Sequence, residues 1–104
     1  DHAQALARAL QRVGAATKSA WSTGNPTDAL ANATPYLQAF GHTVLAWIWL
    51  DVVQSLGSDE GNFNTGKRAA MRYFFHYELP KIDAWLAVVS ARDLTCANVP
   101  QEAF

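Results

Sequence analysis

The sequence predicts an all-α fold: an antiparallel bundle of three to four helices with an irregular C-terminal tail. Three observations carry that prediction. Apolar residues recur every three or four positions through three long stretches. No segment alternates polar and apolar with a period of two, as a half-buried strand would. Gly, Pro and Asn gather between the stretches, where the chain has to turn.

The first stretch, residues 2–21, is rich in Ala with Leu, Arg, Gln and Lys, all good helix formers. Leu6, Leu10, Val13 and Thr17 recur at helical spacing, with Ala9, Ala16 and Ala20 beside them. Ser22-Thr23-Gly24-Asn25-Pro26 stops this helix. The second stretch covers residues 28–56, with Thr27 as its expected N-cap and Asp28 in its first turn. Its apolar positions are Leu30, Ala33, Leu37, Phe40, Val44, Trp47, Ile48, Val52 and Leu56. Pro35 cannot donate a backbone hydrogen bond, so a kink or a new start is expected within residues 32–35, with Thr34 as a candidate cap. Gly41 sits mid-helix at a cost of about 1 kcal/mol relative to Ala, which a close helix contact would explain.

Residues 57–64 are polar and contain glycine, the composition of a loop. The third helix is expected over residues 66–90, capped by Asn64 or Thr65 and bent at Pro80. Met71, Phe74, Phe75, Leu79, Ile82, Trp85, Leu86 and Val89 supply its apolar positions. From residue 91 the pattern is lost, and Phe104 is a candidate anchor for the tail.

Half the residues are hydrophobic, and five Phe, four Trp and three Tyr give bulk for a core. With a net charge of only -1, that excludes intrinsic disorder. The same balance argues against a nucleic-acid partner, which needs a basic face. The uncharged apolar run 43–50 ends at Asp51, well short of the ~20 residues of a membrane span. Cys96 is the single cysteine, so no internal disulfide forms; a reducing, cytoplasmic setting is expected. The chain enters its first helix directly at Asp1-His2-Ala3-Gln4, as a fragment of a longer polypeptide does, and residues 1–104 read as one domain.

No catalytic, cofactor-binding or metal site emerges. His2, His42 and His76 lack the short spacing of a metal site, and the one cysteine lies in the tail. His42 is expected to be hydrogen-bonded across the bundle. Glu78, Asp83 and Asp51 are expected to form ordinary ion pairs with Arg72, Lys81 or Arg68. Cys96 has no histidine near it in sequence to activate it, and the six glycines form no phosphate-binding pattern. The densest unusual feature is the block Tyr73-Phe74-Phe75-His76-Tyr77, facing Trp47 and Trp49 on the second helix. Adjacent aromatics cannot all face one core. Phe74, Phe75 and Trp47 are expected inside, leaving Trp49, Tyr73 and Tyr77 as a candidate interface.

Several strings of uncommon residues are distinctive. They are Asn32-Ala33 with Tyr36-Leu37, then Phe40-Gly41-His42-Thr43-Val44-Leu45-Ala46-Trp47-Ile48-Trp49-Leu50. Phe63-Asn64-Thr65-Gly66-Lys67-Arg68-Ala69-Ala70-Met71-Arg72-Tyr73-Phe74-Phe75 follows, closing with Glu78-Leu79-Pro80. Over residues 29–104 the chain resembles the C-terminal accessory domain of bacterial-type acyl-CoA dehydrogenases. The resemblance implies a parent oxidoreductase of fatty acid metabolism, a flavoprotein that uses FAD to dehydrogenate an acyl-CoA thioester between its α and β carbons. It places the flavin fold and the catalytic glutamate in the enzyme body, so no catalytic role passes to Glu78. The domain's own role is then structural, with the rest of the enzyme, and in a homo-oligomer a neighbouring subunit, as its partner. The contrasting reading is a free-standing helical interaction module. A carrier of apolar ligands is disfavoured because the aromatics fill space.

Overall fold

The structure, a computed structural model, describes all 104 residues and contains helices and connecting segments only. Helix α1 spans His2–Ala20, α2 Pro26–Leu30, α3 Ala33–Ser55, α4 Asn62–Tyr73 and α5 Ile82–Ser90. A π-helical turn, Phe74–Glu78, and a 3-10 turn, Leu79–Lys81, join α4 to α5 in one nearly continuous rod. A last 3-10 turn, Gln101–Ala103, lies in the tail.

Three rods run up, down and up. Thr17 of α1 shares a hydroxyl hydrogen bond of 2.8 Å with Tyr36 near the start of α3, so α1 and α3 are antiparallel. Arg12 pairs with Asp83, and the Ser19 hydroxyl donates to the Ser90 carbonyl at 2.6 Å, so α1 and α5 are parallel. The predicted bundle is present, with α2 as the short fourth helix.

Local chemistry explains most boundaries. The N-cap of α2 is Asn25, not Thr27: its side-chain oxygen accepts the Thr27 N–H at 2.9 Å, and Pro26 takes the first helical position, where no N–H is needed. The break expected near Pro35 falls at residues 31–32. Pro35 lies in the first turn of α3, so its missing N–H does no harm, and Thr34 is helical rather than a cap. Helix α4 starts four residues earlier than expected, after Gly61 rather than at Asn64 or Thr65. Pro80 has the predicted effect. It cannot bond back to the preceding turn, and the ladder widens to the π turn before it and tightens to the 3-10 turn around it.

Helix α5 ends in a Schellman arrangement, with Arg92 in the left-handed region at φ 52°. The Asp93 N–H reaches the Val88 carbonyl at 3.2 Å and the Arg92 N–H reaches Val89 at 3.1 Å. Asn32, at the α2–α3 junction, closes the same end. Its amide donates to the Val88 carbonyl at 3.3 Å and to the Asp93 carbonyl at 2.8 Å.

The core is thin. Only 14 residues are buried, and five of these are alanines: Ala9, Ala16, Ala20, Ala39 and Ala46. Small side chains let helix axes approach to the short end of the usual 8–10 Å. Phe74 and Phe75 are inside, as the sequence suggests, with Met71, Leu79, Ile82, Leu86 and Val89 along the same rod. Two faces are rotated from the expected ones. On α1 the alanines and Val13 face inward, whereas Leu10 is 58% exposed. On α3 the inward face is Ala39, Thr43 and Ala46, flanked by Tyr36 and Leu50.

The two tryptophans of α3 exchange roles as a result. Trp47, expected inside, is 63% exposed, whereas Trp49, expected at the surface, is half-buried against the core. The cause is that α3 is apolar all round, so hydrophobic spacing alone could not select its packed face. Gly41 is not explained by a contact within the chain, since a Cβ built there meets no atom within 4 Å. Phe104 is 94% exposed and anchors nothing.

The molecule measures 58 × 28 × 16 Å with a radius of gyration of 17.4 Å, against about 13 Å for a compact chain of this length. Two features produce this shape. The three mutually packed rods α1, α3 and α5 make a narrow bundle, and α4 extends past the start of α1, where it has only α3 for support.

Two substitutions test the packing. Ala39→Leu should lower stability by about 1–3 kcal/mol through overpacking. Trp47→Ala should change it by less than about 1 kcal/mol, because the indole packs largely outside this core. Urea denaturation of the chain measures both.

Candidate functional site

The chain's polar groups form one cluster with chemical interest, around His42. Its ring lies on α3 between Phe74, with centroids 5.5 Å apart, and Trp85, which it meets edge-on at 4.8 Å. Its Nε2 is buried without a hydrogen-bond partner, contrary to the bond expected across the bundle. The nearest acidic atom, Glu78 Oε1, stands 4.0 Å away, beyond hydrogen-bond length.

Glu78 is committed elsewhere. It forms an ion pair with Lys81 one turn on, and that hydrogen bond holds its carboxyl below the usual glutamate range. The same bond holds the Lys81 ammonium above the usual lysine range. A general base working near neutrality needs a carboxyl shifted the other way. The cluster is therefore an ion pair beside a half-buried imidazole whose Nε2 is covered. Lys81 was among the basic residues expected to pair with the helix carboxylates. Asp83 instead takes Arg12 of α1, and Asp51 has no ion-pair partner.

Sign and direction give a test of this pair. A depressed Glu78 contributes stability that is fully present above about pH 4.3 and is lost as pH falls through its lower folded value. Lys81 contributes stability that is present below about pH 10.4 and is lost as pH rises through its higher folded value. Thermal midpoints of the chain and of Glu78→Gln should therefore differ across the neutral range and converge in strong acid. A difference that persists in strong acid would assign the effect to packing instead.

No group of three or more His, Cys, Asp or Glu residues converges on a common point. Cys96 is exposed and unpaired, as expected of a tail thiol. Neither of the two largest hollows suits a flavin. One is an open apolar groove of about 370 Å³ between α1 and α3, lined by Leu6, Leu10, Val13, Phe40, Thr43, Val44 and Trp47. Its only hydroxyl, on Thr43, is bonded to the Ala39 carbonyl at 2.9 Å. The other lies among Gly57, Ser58, Glu60, Thr65, Arg68 and Arg72, with no apolar wall for a ring to stack on.

The molecule's main surface asset is apolar. From residue 33 to residue 50, α3 contains no Asp, Glu, Lys or Arg. Its outward side exposes Leu37, Phe40, Leu45, Trp47 and Ile48, and Leu10 of α1 continues the patch across the groove. Single exposed hydrophobic residues are ordinary, whereas a continuous stripe of them marks a contact surface. Of the aromatics predicted to form an interface, Tyr73 and Tyr77 are exposed and stack on each other with centroids 4.9 Å apart. Trp49 does not join them at the surface. The larger stripe on α3 was missed because its residues looked like the core-facing set. The extra signal available was the absence of Asp, Glu, Lys and Arg on every side of the helix from residue 33 to residue 50.

No helix is long and apolar enough to cross a membrane. A family model described as "Acetyl-CoA dehydrogenase C-terminal like" matches residues 1–100. Comparisons with curated proteins and with solved structures return no match.

Proposed function

The chain belongs to the acetyl-CoA dehydrogenase C-terminal-like family, and from that premise we propose that it is the accessory domain of a cytoplasmic, FAD-dependent acyl-CoA dehydrogenase. In this reading the 104 residues are one domain of a longer polypeptide. They supply a contact surface, and the parent enzyme removes hydrogens across the α and β carbons of an acyl-CoA. The flavin and the catalytic base belong to the enzyme body.

One observation supports the contact role above all: the uncharged stretch of α3 from residue 33 to residue 50 packs one apolar face into its own bundle and leaves a second uncovered. Leu37, Leu45 and Ile48 in water forgo the stabilisation that burial brings, about 25 cal/mol per Å² of apolar surface. A protein that covers them recovers it. Tyr73 and Tyr77, with Phe63 further along α4, give the rod a second apolar region that the enzyme body can use.

The buried His42 Nε2 and the ion pair that holds Glu78 in its charged form support a contact role over a chemical one.

The test is the visible spectrum of the full natural polypeptide containing this segment, recorded before and after adding an acyl-CoA. A flavin band that bleaches with substrate supports the dehydrogenase assignment; a colourless protein hardly longer than this chain rejects it. In the same enzyme, Glu78→Gln should leave turnover within about threefold of normal. A loss of several orders of magnitude with folding intact would give the domain a catalytic role after all.

A further inference from the structure

We propose that His2 and His76 form a two-histidine site for a zinc-class dication, which clips the start of α1 to the π turn. The inference does not depend on the dehydrogenase reading.

The fold makes this pair. Residues 2 and 76 lie far apart in the sequence, so no short spacing could announce them. Helix α1 begins beside the π turn, and there the two imidazole centroids stand 6.1 Å apart with their planes tilted by 40°. His2 is the held member. Its half-buried ring meets the buried Phe75 edge-on, with centroids 4.9 Å apart. His76 is exposed and free to turn about its side-chain bonds. A fixed ligand beside a mobile one that faces water is an arrangement a metal ion can enter.

Distance fits. Zinc binds an imidazole nitrogen at 2.0–2.1 Å, so two rings on one ion have centroids about 5 Å apart when tetrahedral and about 6.4 Å apart at most. The observed spacing is within that limit. Rotation of His76 closes the remaining difference of about 1 Å.

Chemistry selects the metal class. Imidazole nitrogen suits Zn(II), Cu(II) and Ni(II), whereas Ca(II) and Mg(II) take oxygen ligands. No third His, Cys, Asp or Glu converges on the pair. The Asp1 carboxylate is engaged in capping α1. Water therefore fills the other positions, and the site is open and exchangeable. A ligating imidazole has to be neutral. Burial above all, then the positive charges of the α-amino group, His76 and Arg72, hold the His2 pKa below the ordinary histidine value. The charge of Arg72, exposed on α4, limits the affinity.

The site also has a mechanical place. Ser19 fastens the end of α1 to Ser90, and Arg12 is the first residue of α1 with a polar bond to another element. Ahead of Arg12 the helix has packing alone. A metal held by His2 and His76 fastens that free start.

A free α-amino group beside His2 also binds metal, so the chain is acetylated there before the test. Calorimetric titration with Zn(II) should give one site per chain. His2→Gln and His76→Gln should each weaken it about tenfold or more, because each removes one arm of a chelate. Circular dichroism checks that both are folded; His76 is exposed, so its variant decides the matter if His2→Gln unfolds. Zn(II) should raise the thermal midpoint of the wild type and leave that of His76→Gln unchanged. In NMR spectra the ring signals of His2 and His76 should move together, while those of His42, whose Nε2 is covered, stay in place. Each of three results overturns the proposal: no binding up to about 1 mM Zn(II); an affinity indifferent to His76→Gln; or ring signals that move for only one of the pair.

Discussion

Close packing through alanine is the constraint on which this fold depends. Ala9, Ala16 and Ala20 on α1 and Ala39 and Ala46 on α3 bring the rods together where larger side chains would hold them apart. Small residues give close contact but little hydrophobic volume, so the aromatic and aliphatic bulk of α3 is displaced to its flanks and outer side. The thin core and the exposed apolar stripe are thus two results of one choice of residue. A bundle cored by leucine would be thicker, and it would have less need of a neighbour.

That choice also explains what could be read from the sequence. The all-α class, three long rods, the disturbance at Pro80 and the buried pair Phe74–Phe75 were legible, because helical spacing and proline chemistry are local signals. The π turn carries its two phenylalanines inward and leaves Tyr73 and Tyr77 exposed on either side. The packed face of α3 was not legible. Leu37, Phe40, Val44, Trp47 and Ile48 make a persuasive apolar row, yet the row that packs is Ala39, Thr43 and Ala46. Periodicity finds the largest residues, while close helix contacts go to the smallest. Trp47 and Trp49 follow from the same ambiguity: two positions apart on a helix, one faces in only if the other faces out.

The family strings around residues 36–50 and 63–80 bracket the same region. They include residues that hold the fold, such as Tyr36 with its bond to Thr17, and residues turned largely to the outside, such as Gly41, with open space above it, and the exposed Trp47. Propensity explains the first group but has no account of the second. A glycine in the middle of an 18-residue uncharged stretch is unfavourable for an isolated helix and reasonable for one that meets another surface. His42 is likewise intelligible as packing: its ring lies between Phe74 and Trp85, and its covered Nε2 pays for that placement by going unbonded.

The clasp at Asn32 has a mechanical consequence. It joins the α2–α3 junction to the end of α5, and Ser19 and Arg92 fasten α1 to the same place. All three rods are therefore tied at one end of the 58 Å axis. At the far end α3 and α4 form a bare hairpin around residues 57–61, without α1 beside them. Resistance to opening is graded along the molecule, from a fastened root to a tip that separates at much lower free energy. A surface that docks near the tip acts as a splint, and the gain in rigidity there is larger than anywhere else on the chain.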